Sequence, residues 1–183
     1  MKNSWMMNSE IMKTEVISVI IILGSFLSCR SDQVPQKVPA KPGKQEMADL
    51  NRYLVQKDRE IIENYVERKK LKMTESPTGL WYYIKDKGKG EYLKDNDRIV
   101  MNYECSLLDG TICYSSSDLG PREIVLGKTE LEPGMNEGLR LLKPGAEALF
   151  ILPPFLAYGL IGDGKKIPSR TIIVYSVKIP IEK

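Results

Sequence analysis

The sequence predicts an α+β fold: mostly short strands, one short helix packed on the sheet, and an amphipathic helix in front. One sign is the alternation in Arg98 to Leu107 (RIVMNYECSL). Ile99, Met101, Tyr103, Cys105 and Leu107 face one way, while Arg98, Asn102, Glu104 and Ser106 face the other, as in a half-buried strand. A second is dense turn punctuation beyond Gly79, at Lys87-Gly88-Lys89-Gly90, Leu108-Asp109-Gly110 and Lys143-Pro144-Gly145. Between those turns only Met135 to Leu142 reads as a helix.

Taken in chain order, residues 1–28 read as a lipoprotein signal peptide. Val16 to Leu27 (VISVIIILGSFL) is an apolar run just after Lys13. Spanning a bilayer needs about 20 such residues, against about 7–15 for a signal-peptide core. The run is therefore an export signal, not an anchor. Glu10 and Glu15 are unusual in a charged leader, and initiation at Met12 would give MKTEV. Residues 29–44 form a tether, because Gln33 to Lys44 (QVPQKVPAKPGK) has the composition of an extended, semi-rigid spacer.

Residues 45–79 carry the amphipathic helix. Met47, Leu50, Leu54, Ile61 and Tyr65 recur at helical spacings from Gln45 to Met73, with Ile62 and Val66 alongside. Arg59 and Glu63 can pair across one turn, and Pro77 and Gly79 are the expected stop. Packing on the domain, or on the helix of a second copy, is expected over a membrane-surface role, because acidic residues share the polar face. Residues 80–183 make the domain. Its strands are Leu80 to Lys85, Arg98 to Leu107, the strand after Asp109-Gly110, Ala146 to Leu152 and Thr171 to Ile179.

Composition excludes several chemistries. Hydrophobic residues make up 42% and charged ones 28%, which is globular, and a net charge of +3 without a basic–aromatic cluster gives no reason to expect nucleic acid. The chain has no histidine, which removes Ser-His and Cys-His nucleophile pairs and the usual ligands of catalytic zinc. Its three cysteines include no CxxC pair. The expected chemistry needs no imidazole, metal or cofactor.

Motifs along the domain then carry a resemblance. Leu107-Leu108-Asp109-Gly110-Thr111 with Ser115-Ser116 is similar to the FKBP hairpin, L-x-D-G-x-x-F-D-S-S. Leu126-Gly127 and Pro133-Gly134-Met135-Asn136-Glu137-Gly138-Leu139 resemble that family's L-G and G-W-x-x-G-L segments. Lys143-Pro144-Gly145, the run Ile151-Leu152-Pro153-Pro154-Phe155-Leu156-Ala157-Tyr158-Gly159, and Ile167-Pro168 complete the family order. The resemblance implies a twisted antiparallel sheet wrapped on one short helix, with peptidyl-prolyl cis-trans isomerase activity on proline-containing clients. Ser28-Cys29 behind the apolar run resembles a lipobox, which implies lipidation at Cys29 and a membrane-tethered protein of the cell envelope. A conventional cleavage site beside a cysteine is the alternative. The whole layout resembles the FKBP lipoproteins of the Bacteroidetes, including those associated with gliding motility.

Carried over by position, the resemblance assigns Tyr103, Tyr158 and Tyr175 as catalytic, Tyr158 by donating its hydroxyl to the bound peptide. Leu131 and Glu132 fall on the segment whose backbone amide meets the ligand, and Ile167 matches an aliphatic wall. Cys113 and Tyr114 stand where the family has Phe-Asp, so an aromatic wall and a carboxylate acceptor are lost there. Arg122 replaces another aromatic residue, and Met135 replaces the tryptophan floor. The expected pocket is wider and more polar on one side, and weak for FKBP-directed macrocycles. For each tyrosine the plainer alternative is a core residue with a satisfied hydroxyl.

Hairpin geometry gives one further expectation. If Leu108–Gly110 is a three-residue loop, Leu107 pairs with Thr111 and Cys105 sits opposite Cys113. A disulfide and two buried free thiols are then the two alternatives. Three roles remain: an isomerase for exported proteins, a catalytically weak chaperone or peptide-binding module, and an envelope-complex component that self-associates through residues 45–73.

Overall fold

The computed structural model describes residues 43–181; the apolar run, Cys29 and most of the Pro-rich spacer lie outside them. Helix α1 (Lys44–Lys69) opens with the Gly43 N–H donating to the Glu46 carboxylate at 2.8 Å. It ends earlier than expected, at Lys70, whose backbone is left-handed (φ 53°). There the Leu71 N–H reaches the Val66 carbonyl and the Lys70 N–H reaches that of Glu67, both at 3.0 Å. This paired closure normally uses glycine, so no local residue type announced it. The helix assigned to residues 45–79 is corrected accordingly. Thr74–Glu75 (β1) already pairs antiparallel with Trp81–Asp86 (β2), so the boundary expected at residue 80 falls within a hairpin.

The remaining elements are β3 (Arg98–Leu107), β4 (Ile112–Ser115), the short helix α2 (Ser116–Leu119), β5 (Arg122–Val125), α3 (Pro133–Leu139), β6 (Glu147–Leu152), a 3-10 turn (Pro154–Leu156) and β7 (Ile173–Lys178). One antiparallel sheet of seven strands results, in the order β1-β2-β6-β7-β3-β4, with β5 also on β3. The alternation in β3 is as expected: Ile99, Met101 and Cys105 are buried. Its first half pairs with β5, and its second half lies between β4 and β7. Just past the end of β4, the Ser116 hydroxyl accepts from the Tyr103 N–H at 3.1 Å and donates to its carbonyl at 3.2 Å. A side chain thus completes the ladder.

The main core forms where α3 lies on the sheet, around Met101, Leu139, Phe150, Leu152 and Ile173. Glycine lets the helix come this close. A Cβ on Gly134 would stand 2.7 Å from Leu152 Cγ, and one on Gly138 2.9 Å from Phe150 Cζ. Alternate residues of β6 and β7 turn away from that core, and Ile151 and Val174 join Ile62 and Ile172 in a second cluster beneath α1. The domain packing expected of the helix is present, but through a different stripe. Asp58 and Ile62 are buried with Tyr65 and Val66 partly so, whereas Met47, Leu50 and Ile61 are exposed. Only the C-terminal half of α1 meets the sheet. Arg59 pairs with Glu63 at 3.2 Å as expected, and also with Glu75 at 2.6 Å.

The cysteine register is corrected. Leu107 does hydrogen-bond Thr111 across the loop, its N–H donating at 2.9 Å. A β-bulge follows, however: Ser106 pairs with Ile112, and Cys105 with Tyr114. The extra residue is Cys113, which no longer faces Cys105. Both thiols are free and buried.

Candidate active site

Most residues assigned from sequence meet in one place. Tyr103, Tyr175 and Cys105 come from the paired strands β3 and β7, Cys113 and Tyr114 from β4, Met135 from α3, and Tyr158 and Ile167 from the loop after β6. Met135, Cys113, Ile167 and Tyr175 are buried, while Tyr103, Tyr114, Leu131 and Tyr158 are half-buried. The Tyr103 and Tyr175 rings tilt by 51° with centroids 6.3 Å apart, inside the favourable range for aromatic pairs. Met135 is fully buried, and methionine is an adaptable filler of irregular core space.

The hub of the site is a group whose side chain the sequence reading gave no part. Glu132 had been placed by its backbone, yet its side chain turns inward and is 7% exposed. Its Oε1 accepts from the hydroxyls of Tyr158 and, at 3.1 Å, Tyr175. Its Oε2 has no hydrogen-bond partner, and Arg122 Nη1 stands 3.8 Å away. Burial first, then the neighbouring Glu132 charge, pushes both tyrosine hydroxyls well above their ordinary range. They remain protonated donors at any physiological pH. Burial likewise pushes the Cys105 thiol up to about 12. Arg122, Glu130, Leu131, Glu132, Pro133, Ala157 and Tyr158 line an open cavity of about 450 Å³.

Asp163 was not foreseen either. It accepts from Tyr114 Oη and, at 2.8 Å, from the N–H groups of Lys165 and Ile167. These bonds outweigh burial and hold its carboxyl below the ordinary range. Its signal was the Gly162-Asp163-Gly164 turn, where an aspartate can bond its own downstream backbone. The carboxylate missing at position 114 therefore has counterparts at 132 and 163. At the foot of the same loop the Arg170 N–H donates to the Gly159 carbonyl at 3.0 Å, and its guanidinium pairs with buried Asp58 of α1 at 2.6 Å. Among the described residues no group of acidic, histidine or cysteine side chains could hold a metal ion.

The chain is similar to known proteins over this same region. The family described as FKBP-type peptidyl-prolyl cis-trans isomerase matches residues 89–180. A probable FKBP-type peptidyl-prolyl cis-trans isomerase FkpA of Neisseria meningitidis is 36% identical over 102 residues, 56% of this chain and 37% of that protein. FkpA of Escherichia coli K12 is 35% identical over 123 residues, 67% of this chain and 44% of that protein. Thus the chain spans less than half the length of these curated relatives. The crystal structure of Escherichia coli FkpA superposes with a TM-score of 0.59 at 26% identity, covering 98% of this chain and 94% of that one. The sheet and the helix lying on it agree with that likeness, and the chain belongs to the FKBP-type peptidyl-prolyl cis-trans isomerase family.

Proposed function

We propose that this protein is a peptidyl-prolyl cis-trans isomerase that assists the folding of exported envelope proteins from a lipid anchor at Cys29. The carrying observation is the tilted Tyr103–Tyr175 pair in one apolar cluster with buried Met135 and Ile167, and with Tyr158 at its edge. Rotation about an X-Pro bond breaks amide resonance, at a barrier of about 18–20 kcal/mol, and takes tens to hundreds of seconds unaided. No covalent bond changes, so no nucleophile is needed, in keeping with a chain without histidine. An apolar, ring-lined site favours the twisted amide over the planar forms, because the twisted carbonyl has lost its conjugation and some of its polarity. Hydrogen-bond donors to the flanking backbone add to this, and the Tyr158 hydroxyl would serve as one on release from Glu132.

A specific observation supports a second reading, a peptide-binding module of low turnover. A tyrosine hydroxyl has one proton to donate, and that of Tyr158 goes to Glu132. A client carbonyl must compete for it. Rates of cis-trans exchange on a short prolyl peptide, with its affinity measured in parallel, separate the two. Acceleration supports the isomerase, and binding without acceleration supports the module.

The export run, Ser28-Cys29 and the spacer support the anchored arrangement and the likeness to gliding-motility-associated lipoproteins. Cys29→Ala is expected to move the protein from the membrane to the soluble fraction; unchanged membrane association would contradict the anchor. No helix among the described residues is long and apolar enough to cross a membrane. Exposed Met47, Leu50 and Ile61 support self-association through residues 45–73. Sedimentation velocity tests it: a monomer at every concentration would refute it.

A further inference from the structure

We infer that Asp58 of α1 is a positioning residue for the prolyl pocket, acting through Arg170 on the loop that carries Tyr158 and Ile167. The inference rests on the isomerase reading above and adds to it a residue outside the pocket. Asp58 also lies outside residues 89–180, the part of the chain that matches the family. The loop it acts on is closed on itself. The Gly162 N–H donates to the Tyr158 carbonyl at 3.2 Å, that of Asp163 to the Ile167 carbonyl at 3.1 Å, and that of Arg170 to the Gly159 carbonyl at 3.0 Å. Arg170 therefore ties the far end of the loop, just beyond Ile167, to the residue next to Tyr158.

Arg170 makes this tie in left-handed backbone, with φ 52°. A residue other than glycine persists there only when its surroundings hold it. The guanidinium supplies that hold: its Nη2 donates to Asp58 Oδ1 at 2.6 Å, and the two side chains are 29% and 8% exposed. A charge-assisted bond shielded to this degree is strong and directional. Packing does not replace it. An open cavity of about 380 Å³ lies between Leu54, Val55 and Asp58 of α1 and Phe155, Leu160 and Arg170 of the loop. The ion pair thus bridges a loosely filled junction and sets where the loop stands against the sheet. Catalysis depends on that placement, because small displacements of groups around a reacting bond cost rate.

The test uses the full chain and the peptide Ala-Leu-Pro-Phe, with kcat/KM, calorimetric affinity and amide hydrogen exchange measured for each variant. Asp58→Asn is expected to lower kcat/KM about tenfold. It should also speed exchange at the Gly162, Asp163 and Arg170 amides relative to those of β3. Arg170→Gln should do the same. The double variant should lose no more than either single one, because the two side chains act as a unit. It leaves no charge unpaired, so it stands in should a single variant fold poorly. Arg59→Ala breaks a different ion pair of α1, with Glu75, and is expected to leave turnover and loop exchange unchanged. That control separates positioning of the loop from mere attachment of the helix. Unchanged turnover or loop exchange in Asp58→Asn would overturn the inference, as would additive losses or an equal loss in Arg59→Ala. Should the wild type turn over no peptide, the isomerase reading falls, and exchange and affinity still decide this one. Faster loop exchange with about tenfold weaker binding in Asp58→Asn supports it; no change in either overturns it.

Discussion

The hydroxyls of Tyr158 and Tyr175 converge on one oxygen of a carboxylate almost shielded from water, so each depends on the others. Tyr158→Phe removes one donor from a buried acceptor that already lacks partners on its other oxygen. It is expected to cost about 1–3 kcal/mol in denaturant unfolding. A loss near zero would mean that the carboxylate swings out to water. Cys105 gives a second prediction. With its thiol raised to about 12 by burial, it should resist alkylation in the native protein at pH 8 and react once unfolded. Fast native labelling at Cys105 would contradict this burial. At this scale the sequence was informative about positions but not directions. Motif order identified 103, 158, 167 and 175 as neighbours, whereas nothing in the string Leu131-Glu132-Pro133 indicates that the glutamate turns inward.

Strands and turns were easier to read than helix ends. The β3 limits follow from strict alternation over Arg98–Leu107, and the hairpin loop follows from Asp109-Gly110. The bulge at Cys113 and the closure of α1 at Lys70 carry no such mark: nothing in the string around Cys113 signals an extra residue, and a lysine stands at the left-handed position that usually selects glycine. Gly138 was legible as a motif residue, and the structure supplies its reason. Gly138→Ala should drive a methyl into the Phe150 ring and cost about 1–3 kcal/mol by thermal unfolding. An unchanged melting temperature would show that α3 can lift off the sheet freely.

The loop after β6 responds to pH through Asp163. Its folded carboxyl lies below the ordinary 3.8, so on acidification the unfolded chain takes up the proton first. The contribution of Asp163 is therefore full at neutral pH and lost as pH falls through the folded value. Asp163→Asn should flatten the loss of stability as pH falls below the ordinary carboxylate value. An acid limb as steep as that of the wild type would refute this role.

Across the whole molecule, α1 belongs to the domain instead of merely preceding it. Ile62 is fully buried against Ile151, Ile172 and Val174, and Asp58 pairs with Arg170 beside the loop that carries Tyr158 and Ile167. Ile62→Ala should cost about 2–4 kcal/mol, as for other buried large-to-small changes. A change within about 0.5 kcal/mol would mean that the helix is only loosely attached. The sequence showed this helix plainly and left its partner open between the domain and a second copy, because the exposed residues Met47, Leu50 and Ile61 share its apolar pattern with those that pack.

The central claim is that this pocket catalyses prolyl rotation despite its altered walls. The most direct measurement is the refolding rate of a protein whose slow phase is a single proline isomerisation, with the full chain added in catalytic amounts. The expected result is a slow phase that accelerates in proportion to added protein. A slow phase unchanged at every concentration, with the protein folded throughout, would contradict the claim.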